Sequence, residues 1–284
     1  MSSDNRQLLS ICPPRKGNEM TSSTPGKHLA SMRDATPLVQ CITNYVAMNV
    51  AANVLLAAGA SPAMVHSVEE AGEFAAFAGA LTINMGTVSP DWADGMKSAA
   101  DSAAAAGRPW VLDPVAHMAT SYRRKVVTEL LDLRPTVIRG NASEILALGG
   151  GNSSARGVDT KDDVAAAEDV ARQLALSRQC IVAVTGRTDF VTDGTRTAHI
   201  DGGSAWMPRV TALGCSLTCL VGAYAAVEPD AFTATTAALA HFAVAGELAE
   251  RDVSGPGSFA VAFLDALASV DGRTLDDKAR VRLS

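Results

Sequence analysis

The sequence predicts an α/β fold with a mostly parallel central sheet. Helix-like and strand-like segments alternate with short gaps over most of the chain. Several strand-like runs end in polar or glycine-containing turns. No repeat or long linker divides the chain, which predicts one domain over residues 27–284 of the 284. Residues 1–26, rich in Ser, Pro, Asn and charge, read as a mobile extension ending in a helix near 26–32. The spacing of apolar residues then predicts a helix over 44–58, stopped by Gly59, and a short strand over 61–66. A helix over 68–78 and an apolar strand over 80–84 follow, then a helix over 90–106 stopped by Gly107. Strands are expected over 110–113, 136–138 and 180–185, and helices over 122–132, 142–148 and 162–177. Residues 189–191 and 198–200 read as an antiparallel pair across the Asp193-Gly194 turn. The remainder is helical, over 214–226, 231–251, 258–269 and 275–281.

Composition narrows the functions. Alanine occurs 51 times while aromatics make up 5%, so the core is aliphatic and closely packed. A net charge of −6 excludes a general nucleic-acid binder, which would carry a basic face. The longest apolar stretches run to about 15 residues, short of the roughly 20 a membrane span needs. No secretory h-region is evident near the N-terminus. Five irregularly spaced cysteines (Cys12, Cys41, Cys180, Cys215, Cys219) outline neither a disulfide framework nor a zinc site and fit a reducing cytoplasm.

Ligands of open parallel sheets bind at the carboxyl ends of strands, so the polar residues there are the first candidates. Thr211-Ala212-Leu213-Gly214-Cys215-Ser216-Leu217 precedes an apolar helix. Free N–H groups and a positive dipole end at such a junction suit an anion, and Cys215 in the first turn would favour its thiolate. Taken alone, the motif reads first as an ordinary loop-to-helix junction with a small buried Cys. Asn141-Ala142-Ser143-Glu144 has the spacing of a capping box; Glu144 could instead organise metal-bound water. Asp113, ending a strand before Pro114, could serve a metal or cap a turn. Thr185-Gly186 suits a nucleotide phosphate or simply ends a strand, and Arg123 and Arg139 are candidate phosphate clamps. Rossmann, P-loop and nucleophile-elbow motifs are missing from the sequence.

In this order, the stretches ITN (42–44), AAGASPAM (57–64), ALTINMGT (80–87), LDPV (112–115), RGNASEI (139–145), GVD (157–159), AVTG (183–186), TALGCSL (211–217) and GPGSF (255–259) resemble the hydroxyethylthiazole kinases. The resemblance implies a ribokinase-like three-layer fold and ATP- and Mg²⁺-dependent phosphorylation of a thiazole alcohol in thiamine salvage. By position it implies that Met64, Asn44, Val46, Ala212 and Gly214 line the alcohol site. It likewise implies that Arg123, Thr185 and Asn141 bind ATP, that Asp113 and Glu144 lie near Mg²⁺, and that Cys215 stands at the catalytic-base position. A cytoplasmic homotrimer with sites between subunits is also implied. Ala116, Met118 and Ala212 stand where the family uses glycine. Those departures keep two alternatives open: a kinase for another small alcohol such as a hydroxymethylpyrimidine, and a weakened nucleotide- or thiazole-binding protein.

Overall fold

The computed structural model describes residues 24–150 and 161–284. Most of the expected 1–26 extension, Cys12 and the GVD stretch lie outside the described residues. Residues 24–26 do not belong to an extension. Thr24 caps helix α1 (Pro25–Ala35), and the Gly26 N–H donates to the Asp276 carboxylate at 2.7 Å.

Among the described residues, nine strands form one sheet in the order β2-β1-β3-β4-β5-β6-β7-β8-β9. They are β1 (Leu38–Ile42), β2 (Ser61–Ala63), β3 (Ala80–Asn84), β4 (Trp110–Asp113), β5 (Val137–Asn141), β6 (Ile181–Thr185), β7 (Thr188–Thr192), β8 (Thr197–Asp201) and β9 (Arg280–Leu283). The first six pair parallel and the last three add antiparallel. Successive residues of the inner strands face opposite sides of the sheet. Val137, Ile181 and Ala183 therefore join one core, while Ile138, Val182 and Val184 join the other.

The first core is covered by α1, α2 (Met48–Ala58), α8 (Leu213–Ala225), α9 (Ala231–Ala249), α10 (Pro256–Ser269) and α11 (Gly272–Lys278). The second lies under α3 (Ala71–Phe77), α4 (Pro90–Ala105), α5 (Ser121–Asp132), α6 (Ala142–Leu148) and α7 (Lys161–Arg178). The result is three layers, helix on sheet on helix. Small residues let the layers approach closely: a Cβ on Gly222 of α8 would lie 2.5 Å from the Thr82 methyl on β3.

Three expectations are corrected. The sequence pattern outlines no strand before residue 44, yet β1 forms there, between the edge strand β2 and β3. The helix expected over 44–58 begins at Met48, because the Asn44 side chain caps the turn before it, accepting from Val46 and Ala47 N–H at 3.1 and 3.0 Å. The helix expected over 275–281 ends at Lys278, and the chain then pairs with β8 as β9.

Candidate active site

The strand order reverses between β1 and β3, the position at which open α/β sheets form a ligand crevice. The carboxyl ends of the parallel strands carry most of the predicted residues. Asn44 and Val46 follow β1, Met64 follows β2, Asp113 ends β4, Asn141 ends β5 and Thr185 ends β6. Asn84 and Asp113 sit opposite each other in the β3–β4 register, as do Asn141 and Thr185 in the β5–β6 register.

Hydrogen bonds join these ends into one line. Asn44 Nδ2 donates to Cys215 Sγ at 3.4 Å and to Asn84 Oδ1 at 2.7 Å. Asn84 Nδ2 donates to Asp113 Oδ2 at 2.8 Å, and Thr218 Oγ1 reaches the same oxygen at 2.9 Å. Arg139 Nη1 lies 3.5 Å from that oxygen, and its Nη2 donates to Thr185 Oγ1 at 2.5 Å. The Arg139 guanidinium also covers the start of α8, where a Cβ on Gly214 would come within 3.2 Å of both terminal nitrogens. A side chain at 214 would push the guanidinium away from the helix N-terminus.

Charge is costly here. Asp113 is fully buried, and burial, opposed by Arg139 and reinforced by Glu144, pushes its carboxyl up to about 6. Its Oδ1 is buried without a partner, while Oδ2 takes the neighbouring donors. The thiolate expected at Cys215 is not favoured. Burial and the nearby Asp113 charge push the thiol up to about 11, outweighing the Asn44 and Asn84 amides and Arg139. A helix N-terminus stabilises an anion by about 0.3–1 kcal/mol when exposed, too little to offset desolvation.

Glu144 forms the capping box expected from its spacing: Oε2 accepts the Asn141 N–H at 2.9 Å, and Asn141 Oδ1 accepts the Glu144 N–H at 2.9 Å. Its other oxygen accepts the Ala116 N–H at 3.1 Å, tying the turn after β4 to α6. Arg123 braces the wall of the site. Its guanidinium donates to the carbonyls of Met85, Val115 and Gly86, at 2.8, 2.9 and 2.5 Å, joining the loops after β3 and β4. Of the two arginines considered as clamps, Arg139 is the one at the centre of the line.

Two of the three residues standing at glycine positions have a left-handed backbone. Ala116 has φ 50° and Ala212 φ 66°. Three further residues join the site: Asn84, Thr218 and Asp189. Asn84 was visible as a polar residue ending an apolar strand; Thr218 carried no signal inside an apolar helix. Asp189 accepts the Gly186 N–H at 2.9 Å, and burial pushes its carboxyl up to about 6 against the pull of Arg139.

Among the described residues, no group of three or more His, Cys, Asp and Glu is placed to hold a metal ion. The buried, unpartnered Asp113 Oδ1 fits a hard cation that takes one or two protein oxygens and completes its shell from phosphates and water.

The architecture is that of the ribokinase-like kinases. Pyridoxal kinase of Staphylococcus aureus, solved with ADP, matches with a TM-score of 0.61 at 17% identity, over 88% of this chain and all of its own. At that identity the likeness concerns the fold alone. The hydroxyethylthiazole kinase protein of Pyrococcus horikoshii OT3 matches with a TM-score of 0.85 at 38% identity, over 92% of this chain and 98% of its own. Hydroxyethylthiazole kinase of Rhizobium johnstonii is 66% identical over 92% of this chain and 98% of its own length. That of Cereibacter sphaeroides is 63% identical over 90% and 97%. The chain belongs to the hydroxyethylthiazole kinase family, whose model matches residues 29–273. Among the described residues no helix is long and apolar enough to cross a membrane.

Proposed function

We propose that this protein is the kinase that transfers the γ-phosphoryl group of ATP to the hydroxyl of 4-methyl-5-(2-hydroxyethyl)thiazole, giving ADP and the thiazole phosphate in thiamine salvage. Family membership supports the substrate. The observation that carries the chemistry is the unbroken line of polar contacts from Cys215 through Asn44, Asn84, Asp113 and Arg139 to Thr185.

The alcohol belongs at the Cys215 end, among Asn44, Val46, Met64, Ala212 and Gly214. The triphosphate belongs at the Thr185 end, beside Asn141. Arg139 there meets the nucleotide as a charged fork, the group best matched to phosphate. Arg123 belongs with the triphosphate too, on the loops after β3 and β4 that it joins. The bond from the alcohol oxygen to the γ-phosphorus forms as the bond to the β-phosphate oxygen breaks. Charge in that loose transition state spreads over the phosphoryl oxygens. Arg139 and the N–H groups opening α8 would stabilise it. The alcohol proton leaves late and passes to Cys215 in its thiolate form, so a thiol with a raised pKa slows this step less than it would an early deprotonation. Asp113, with Glu144 behind it, would hold Mg²⁺, which neutralises phosphate charge when bound.

Tyr45 and Val46 are 72% and 58% exposed beside this site, which supports their burial by a second subunit in a homotrimer. The same reading makes the protein a cytoplasmic enzyme. An ADP-release assay over a panel of small alcohols tests it: the thiazole alcohol should be turned over in preference to hydroxymethylpyrimidine. Nucleotide binding without turnover of any thiazole alcohol would reject the kinase.

A further inference from the structure

Asn84 is 2% exposed and uses three of its side-chain hydrogen-bonding positions on named partners. Its Oδ1 accepts from Asn44 Nδ2 at 2.7 Å and from the Gly86 N–H at 2.9 Å, and its Nδ2 donates to Asp113 Oδ2 at 2.8 Å. These partners fix which end of the amide is oxygen, since the Gly86 N–H can only donate. They also belong to separate elements: Asn44 follows β1, Gly86 lies in the loop after β3, and Asp113 ends β4. The loop is shaped around the contact. A Cβ on Gly86 would lie 2.6 Å from Asn44 Nδ2 and 2.7 Å from its Cγ.

Only a group with an acceptor and a donor on one short planar side chain completes this junction. Aspartate would set a second carboxylate oxygen against Asp113, and leucine would strand the partners of both ends. Asn44 in turn spends its remaining Nδ2 hydrogen on Cys215 Sγ.

We propose that Asn84 is the positioning residue of the site, whose single amide holds the acceptor end, Asn44 with Cys215, in fixed register with the phosphate end, Asp113. The proposal rests on the kinase reading for its rate consequence but not for its geometry. Asn84 acts by setting the distance between Asn44 and Cys215 on one side and Asp113 on the other. Misplacement of about 1 Å in such a site costs on the order of 100-fold in rate.

The test is Asn84→Ser in the full chain, with Asn84→Asp as the second variant should the first not fold. Circular dichroism first shows a folded protein. Turnover is then compared with KM for both substrates, and alkylation of Cys215 by iodoacetamide is followed by peptide mass spectrometry at a fixed pH of about 8.5, near an ordinary thiol pKa. We expect kcat to fall about 10- to 100-fold with both KM values within about threefold. We also expect the Asn44→Ala/Asn84→Ser double variant to lose little more than one single variant does, as residues acting as a unit behave.

Alkylation should slow several-fold, because two amides that favour the thiolate are lost or loosened. A merely loosened site would expose the thiol and speed alkylation, and that result would overturn the proposal. So would additive effects of the two substitutions, or an unchanged kcat. If the unsubstituted protein turns over no thiazole alcohol yet alkylation still slows in the variant, the positioning role stands and the kinase reading falls.

Discussion

Replacing Ala212 with glycine should stabilise the protein. Ala212 caps α8 with φ 66° and ψ 4°, and its carbonyl accepts both the N–H and the hydroxyl of Ser216, so the left-handed turn is anchored into the helix. A Cβ in that conformation costs about 1–2 kcal/mol. Glycine removes this cost but gains about 0.4–1 kcal/mol of unfolded-state entropy. The net is a stabilisation of about 0.5–1 kcal/mol. For chains of 150–250 residues each kcal/mol moves Tm by about 2–4 °C, so a rise of about 1–4 °C is expected. Gly107 provides an internal calibration. It has the same φ of 66°, with nothing within 4 Å of where its Cβ would lie. Gly107→Ala should therefore lower Tm by about as much as Ala212→Gly raises it. Thermal unfolding by circular dichroism at one protein concentration measures both. A lower Tm in Ala212→Gly, with Gly107→Ala behaving as expected, would refute the reasoning, because the methyl group would then contribute more in contacts than the backbone loses in strain.

Substitutions at three further positions probe the site. Asp113→Asn should raise Tm more at pH 8 than at pH 5 while abolishing turnover. A carboxyl raised from 3.8 to about 6 binds its proton more tightly in the folded state, so it costs stability increasingly as pH rises through that window, and fully above it. An equal gain at both pH values would remove burial as the cause. Cys215→Ala should lower kcat more than it weakens alcohol binding, and Cys215→Asp should keep or raise activity; an unchanged rate in the alanine variant rejects a role at the transferred proton. Glu144→Gln leaves one carbonyl oxygen for the backbone groups of Asn141 and Ala116, and should cost about 1 kcal/mol in denaturant unfolding.

The strand-end location of the site was legible because it follows from topology, and the alternation of helices and strands implies the topology. The Glu144 capping box was legible too, since three-residue spacing is a local property. What the chain did not disclose is tertiary. Nothing near Cys215 in sequence announces the buried carboxylate of Asp113, so its helix-start position suggested a thiolate that desolvation disfavours. Arg123 and Arg139 are alike as residues. Only the fold assigns one to three loop carbonyls and sets the other beside Thr185. β9 has no helical stop signal ahead of it that differs from an ordinary fraying end; its partner, β8, lies some 80 residues earlier, as in Ala198 opposite Leu283.

All six parallel strands, β1 to β6, end along the edge that carries the line of polar contacts, and the sheet turns antiparallel only beyond Thr185. In the proposed reading, the loops after β1, β2 and β3 border the acceptor end, and β5, β6 and the reversal from Thr185 to Asp189 carry the nucleotide end. On the proposed assignment, the two substrates are read by separately connected stretches of chain that meet at Asp113. Mutations that broaden the range of alcohols can accumulate in the first set while nucleotide recognition stays intact. Directed evolution toward a new acceptor should thus enrich changes around residues 44–46, 64 and 85–87, and spare 139–144 and 185–189.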